Sequence, residues 1–306
     1  MQYTREDIFL IEEAENFNDL PKSISDNELL ESLDNQDIPN HIKDFVGVDK
    51  LKHRAFLKGA FWKKIPAFRD VSSEEFLNVK FQNKHTVRKV SKLEELTKGL
   101  VETKFIEEVK KGMQRTPMNL SISPYIISLI DWNDPWNDPL RIQFIPVENG
   151  FKADHPKLTL DSLGEQNDSP VEGLVHRYFD KVLFLPLDVC PVYCRFCTRS
   201  YAIGGNTESV DKLRFKNAPD NWKKAFAYIA SRPEIEDVVI SGGDAYMLAP
   251  ERLRLIGEIL LEIPHVRRMR FASKGPAVMP MKILSDTAWT QALVDVVNKG
   301  REKGKE

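Results

Sequence analysis

The apolar positions of this chain follow one period in its middle and another towards its end. Between residues 73 and 130 they recur at helical spacing: Leu93, Leu96 and Leu100 make one stripe, which Phe105 and Val109 continue. Ser72 or Ser73 followed by Glu75 predicts a helix start, because a serine oxygen and a nearby carboxylate can satisfy first-turn amides. Residues 121–131 form a further apolar stretch. The run DWNDPWNDP at 131–139 predicts a turn-rich loop, since Asp–Pro steps break helices. Trp132 and Trp136 are expected to pack that loop down rather than to touch a ligand. Residues 150–175, rich in Asp, Pro, Gly and Ser, read as an irregular connector.

From Lys181 onwards short apolar runs alternate with longer amphipathic ones. VLFLPL at 182–187 predicts a buried strand, and further strands are expected to end at Ile240 and to cover 268–272. Helices are expected over 219–231, 250–262 and 284–299. Strands alternating with helices of this length imply βαβ units, a parallel sheet and right-handed crossovers. The fold class is therefore α/β: the first three units of a partial β/α barrel, preceded by a mainly helical region. Three units cannot close a barrel, so the outer edge of the third strand is expected to lie unpaired. Three regions follow: a polar, helical or partly disordered extension over 1–72, with amphipathic stretches at 26–33 and 49–61; a helical region and connector over 73–180; and the barrel units over 181–306.

Composition narrows the function classes. Of the 306 residues 42% are hydrophobic and 29% charged, and the formal net charge is −2, which fits a packed core and offers neither a nucleic-acid surface nor a polybasic membrane patch. The N-terminus is acidic and lacks a long apolar core, and the uncharged stretch at 116–130 is short for a span and carries Pro117 and Pro124. A cytoplasmic protein with no nucleic-acid or membrane partner is expected.

The cysteines carry the chemistry. There are three, all within Cys190-Pro-Val-Tyr-Cys194-Arg-Phe-Cys197, directly after the first predicted parallel strand. An odd, clustered set argues against a disulfide framework and for metal or redox chemistry. Three thiolates this close can each take a different iron of a 4Fe–4S cubane and leave the fourth iron open to a small molecule. S-adenosylmethionine (SAM) can chelate such an iron through its amino and carboxylate groups. The competing reading is a structural zinc site with a histidine such as His176, although such sites usually use paired CxxC knuckles. Phe196 offers an aromatic face for adenine, with core packing as its alternative role. Ser241-Gly242-Gly243-Asp244 follows the next strand, where two glycines would let backbone groups approach a bound ligand such as SAM. By itself SGGD is more often a simple turn; its position on the same sheet end as the cysteines gives it weight.

These motifs, with SPYIISLID (123–131), LRIQFIPVE (140–148), DSPVEGLVHRYFDKVLFL (168–185), DVVISGGDA (237–245) and PAVMP (276–280), resemble the radical SAM superfamily and within it the lysine 2,3-aminomutases. The resemblance runs from about residue 71 to about residue 290. It implies a partial β/α barrel with a 4Fe–4S cluster, SAM and pyridoxal 5′-phosphate (PLP). It also implies an adenosyl radical that removes a β-hydrogen from an amino acid so that its nitrogen migrates. By the same resemblance Arg199 would bind the substrate carboxylate, and Arg177 and Tyr178 the PLP phosphate. The partners implied are an amino-acid substrate, an electron donor such as ferredoxin or flavodoxin, and further copies of the full-length chain. L-lysine is the default substrate, with glutamate or arginine as same-class alternatives and a non-catalytic iron–sulfur module as the alternative of another class. Lys181, Ser200 and Lys274 stand where the family usually has Arg, and the segment 76–82 lacks its usual tryptophans. The family's PLP lysine lies in later barrel units, so the sequence looks truncated at its C-terminus and catalysis by these residues alone is not expected.

Overall fold

The structure, a computed structural model, describes residues 57–153, 155–213 and 219–306. Trp62–Glu306 forms one compact unit. The amphipathic stretch expected at 26–33, and residues 49–56 of the second one, lie outside the described residues.

Trp62–Glu306 begins with short helices. Ser72 caps α1 (Ser73–Phe76) by accepting a hydrogen bond from the Glu75 amide at 3.2 Å, as its sequence predicts. Trp62 stacks on Phe76 with ring centroids 4.4 Å apart, and Phe68 and Phe81 close around the pair. After α2 (Val79–Lys84) comes α3 (Val90–Leu96), which stops short of the predicted stripe's third member. Gly99 adopts φ +80°, a conformation other residues resist, and turns the chain so that Leu100 falls between helices. Phe105 and Val109 then sit on the buried face of α4 (Thr103–Arg115).

Next are α5 (Pro124–Leu129) and α6 (Pro139–Phe144), joined by the expected loop. Trp132 and Trp136 both meet Phe105 edge-on, at 6.3 and 5.2 Å between centroids, so they pack the loop down. The helical stretch expected over residues 73–130 is thus five short helices separated by caps and turns.

The sheet has four strands in the order β1 (Leu174–Tyr178), β2 (Lys181–Phe184), β3 (Asp237–Ile240), β4 (Arg268–Phe271). The β2, β3 and β4 strands are parallel, each leading to a helix: α7 (Pro219–Ala230), α8 (Pro250–Glu262) and, after the short α9 (Gly275–Val278) and α10 (Met281–Ser285), α11 (Thr287–Glu302). The last helix starts three residues later than expected because Asp286 accepts from the Trp289 amide and restarts it. The β1 strand corrects the sequence reading. It starts at the end of the stretch that reads as connector, where no strand is expected, and pairs antiparallel with β2 through a two-residue turn at Phe179–Asp180. Its polar His176 and Arg177 hide the strand period.

Register decides what each sheet face carries. Val182, Val238 and Met269 share one face with Phe184, Ile240 and Phe271, and the buried members of this set form a core with Trp222, Ile229, Leu253, Ile256 and Trp289 of the helices. The opposite face carries Lys181, Asp237 and Arg268 in one row and Leu183, Val239 and Arg270 in the next. Arg270 makes a two-pronged ion pair with Asp237 at 3.1 and 2.6 Å. The outer edge of β4, expected to be unpaired, is partly covered. The Glu306 amide donates to Arg267 O and its carbonyl accepts from the Met269 amide, both at 2.8 Å, in the pattern of a parallel neighbour.

Candidate functional site

The cysteine loop is held by backbone bonds at the C-terminal end of β2. The parallel ladder between β2 and β3 continues past both strands: the amides of Ser241, Gly243 and Asp244 donate to the carbonyls of Phe184, Leu187 and Val189 at 2.8, 2.7 and 2.9 Å. Gly242 and Gly243 are glycines because of this contact. A Cβ on Gly242, at φ +93°, would stand 2.3 Å from Leu187 O, and one on Gly243 2.2 Å from Val189 O. The two glycines thus admit the neighbouring backbone. Asp244 is buried and its carboxylate ties two turns together, accepting from the Tyr246 and Lys274 amides at 2.9 Å each.

From the other side the loop is fixed to the helical region. The Tyr193 amide donates to Ser121 O at 3.0 Å, and Arg195 donates to Gln143 O at 2.9 Å from its amide and to Ile142 O at 3.0 Å from its side chain. Lys212, buried, bonds to the carbonyls of Pro117 and Ser200. Sequence reading passes over Lys212, because a lysine in a polar loop gives no sign that its ammonium will be enclosed.

The three cysteines are partly buried and carry free thiols. Burial pushes the Cys190 thiol far up, helped by Asp244 and by Cys197 and Cys194 beside it. Burial also raises Cys197. A metal binding here would have to displace those protons. Among the described residues no group of three or more His, Cys, Asp or Glu side chains stands as a set that could hold a metal ion. His176, suggested as a zinc ligand, hydrogen-bonds instead with the Tyr228 hydroxyl at 2.9 Å. Phe196 is 58% exposed, so it offers a ring face rather than core packing. Lys274 lies over that ring, 4.6 Å from its centroid, with its Nζ 3.3 Å from Cys194 Sγ.

A second set of candidates lines a cavity of about 250 Å³ on the polar sheet face, where Arg177, Tyr178, Lys181 and Arg199 meet. Both arginines already face carboxylates. Arg177 Nε donates to Asp168 at 2.6 Å, and Arg199 grips Glu165 through Nε at 2.8 Å and Nη2 at 2.6 Å. Tyr201 Oη adds a third bond to Glu165 at 3.1 Å, and burial beside that carboxylate raises the tyrosine's pKa. The Nη1 side of Arg199 is the part left for a further carboxylate. Glu165, 4% exposed, is the functional neighbour that sequence reading missed, since nothing in a polar connector distinguishes it from Glu172.

Glu165→Ala would strand the Arg199 and Tyr201 donors. Because Arg199 retains some solvent contact, the loss is expected to be about 1–3 kcal/mol rather than the larger cost of a fully enclosed pair. For a unit this size that lowers Tm by about 2–12 °C. Glu165→Gln, which keeps an acceptor, should lose less. Equal melting of wild type and Glu165→Ala would show that the pair contributes nothing to the fold.

No family model matches the chain. The chain is similar to the L-lysine 2,3-aminomutase of Clostridium subterminale, at 38% identity over 237 residues, covering 78% of this chain and 52% of that one. It is 36% identical over 234 residues to the L-lysine 2,3-aminomutase of Bacillus subtilis, covering 76% and 47%. A glutamate 2,3-aminomutase of Clostridioides difficile is 30% identical over 257 residues, covering 82% and 57%. The chain spans about half the length of the curated relatives it matches. No helix among the described residues is long and apolar enough to cross a membrane. At these identities, over three quarters or more of its length, the chain belongs to the lysine 2,3-aminomutase family.

Proposed function

We propose that these residues form the cluster- and SAM-binding part of a radical SAM, PLP-dependent amino-acid 2,3-aminomutase, with L-lysine as first substrate. Lysine ranks ahead of glutamate because the lysine enzymes are the more similar relatives, at 38% and 36% against 30% identity. The observation that carries the reading is the ladder joining Leu187–Val189 to Gly243–Asp244, which brings the cysteine loop beside the SGGD turn at one sheet end. Ligands of open α/β sheets bind at that end of parallel strands.

The chemistry of the donor set supports a cubane: three thiols stand on one eight-residue loop, and a cubane's thiolates bind separate irons instead of converging on one ion. Cys190, Cys194 and Cys197 would hold the cluster, Phe196 would present its ring to adenine, and Ser241 to Asp244 would border the methionine end. When bound, the cluster and SAM supply the hydrogen-abstracting radical, and PLP supports nitrogen migration. The chain's own task is to orient and to exclude water. Arg199, held by Glu165, would present its remaining edge to the substrate carboxylate, and Arg177 and Tyr178 would face the PLP phosphate across the cavity. A low-potential donor such as ferredoxin or flavodoxin would supply the electron, and the full-length protein would assemble with further copies of itself.

Anaerobic reconstitution with iron and sulfide is expected to yield about four irons per chain, as a three-thiolate cubane requires. Cys190→Ala, Cys194→Ala and Cys197→Ala should each abolish uptake. SAM should then change the spectrum of the reduced centre, because the open iron gains ligands. Stoichiometric zinc with no iron uptake would overturn the cluster, and a spectrum indifferent to SAM would overturn the SAM site.

A further inference from the structure

Lys274 stands where three segments meet. Its amide is tied to Asp244 of the SGGD turn at 2.9 Å, and its Nζ reaches Cys194 Sγ at 3.3 Å while lying 4.6 Å from the centre of the Phe196 ring. The same charge is felt at Cys190. The short turn Ser273–Gly275 aims the side chain back, since the Gly275 amide donates to Ser273 Oγ at 2.8 Å and α9 starts at once. These bonds fix the main chain at Lys274, and the contacts with Cys194 Sγ and the Phe196 ring place its ammonium beside the thiol.

We propose that Lys274 is a positioning residue for the electron step, its N–H···S contact and positive charge holding the cluster at a higher reduction potential than three thiolates alone would give. The inference rests on the cluster reading above. One-electron reduction adds a negative charge to the cluster and breaks no bond. A nearby ammonium stabilises the reduced form more than the oxidised form, and hydrogen bonds to the sulfurs act in the same direction. Lys274 is exposed, so water screens part of its field and limits the effect to about one order of magnitude.

The test is a potentiometric titration of the reconstituted 306-residue chain, with dithionite as reductant and the reduced cluster followed by its paramagnetic signal. Wild type, Lys274→Met and Lys274→Arg are compared after iron has been counted in each. Lys274→Met is expected to bind wild-type iron and to show, at a fixed potential, about a tenfold lower ratio of reduced to oxidised cluster, a shift of about 59 mV to more negative potential. Lys274→Arg keeps the charge and should stay near wild type. An unchanged potential in Lys274→Met with full iron would overturn the inference. Loss of iron from both variants would overturn it too, by making Lys274 a fold-holding residue. A wild-type chain that takes up no iron would instead sink the cluster reading on which it rests.

Discussion

Supplied anaerobically with iron, sulfide, reductant, SAM, PLP and L-lysine, the 306-residue chain is expected to form no β-lysine. PLP catalysis needs a lysine that can reach the cofactor, and the lysines at the cysteine loop and at the end of α11 are placed for other work. Lys274 lies at Cys194, and Lys212 is enclosed between carbonyls. Lys299 and Lys303 pair with Glu258 and Glu262 on the far side of α8, and Lys305 donates to Leu261 O and Ile263 O at 2.9 and 2.6 Å. Among the described residues the cavity bearing Arg177 and Arg199 has one lysine on its wall, Lys181, whose Nζ faces Asp180 at 3.5 Å. The assay is chromatographic detection of β-lysine over time. Sustained product would overturn the expectation and point to Lys181, whose replacement by Arg should then abolish both product and PLP absorbance.

Gly243→Val is expected to abolish the native fold of the cysteine loop and to lower stability by about 3 kcal/mol or more, at or beyond the upper end of overpacking costs. The new Cβ would fall 2.2 Å from Val189 O and 2.6 Å from Val189 N and C, atoms that cannot swing aside as a side chain would. The bonds Gly243 N to Leu187 O and Asp244 N to Val189 O would break together, releasing Asp244 from its bond to the Lys274 amide. A SAM-binding defect in this variant would thus be a consequence of lost structure. Thermal unfolding and iron uptake, measured on the same preparation, decide the matter. A variant that melts like wild type and takes up full iron would show that the backbone contact is not as close as the geometry gives it.

Parts of this architecture are readable along the chain because they depend on local chemistry. The α8 helix matches its predicted span of 250–262, since Pro250 opens it and Leu253, Ile256 and Leu260 repeat at helical spacing. The β2, β3 and β4 strands are visible as short runs rich in apolar residues between helices. The cysteine spacing is likewise a one-dimensional fact, and it pointed to the family that the similarity to the lysine enzymes then supports.

The tertiary structure decided the rest. The β1 strand has no clear period because only its first residues are enclosed, and it becomes a strand by borrowing β2's unpaired edge. Leu100 leaves the apolar stripe because the helix ends at Leu96 and Gly99 then turns the chain through a backbone conformation that a hydrophobic pattern does not encode. Glu165, Lys212 and Lys274 lie 34, 95 and 80 positions from Arg199, Pro117 and Cys194, and each acquires its role from a partner brought close by the tertiary fold. A sequence records which donors and charges exist. Whether a carboxylate is buried under an arginine, or an ammonium set against a thiol, depends on long-range closure of the backbone, and a local pattern carries no term for that.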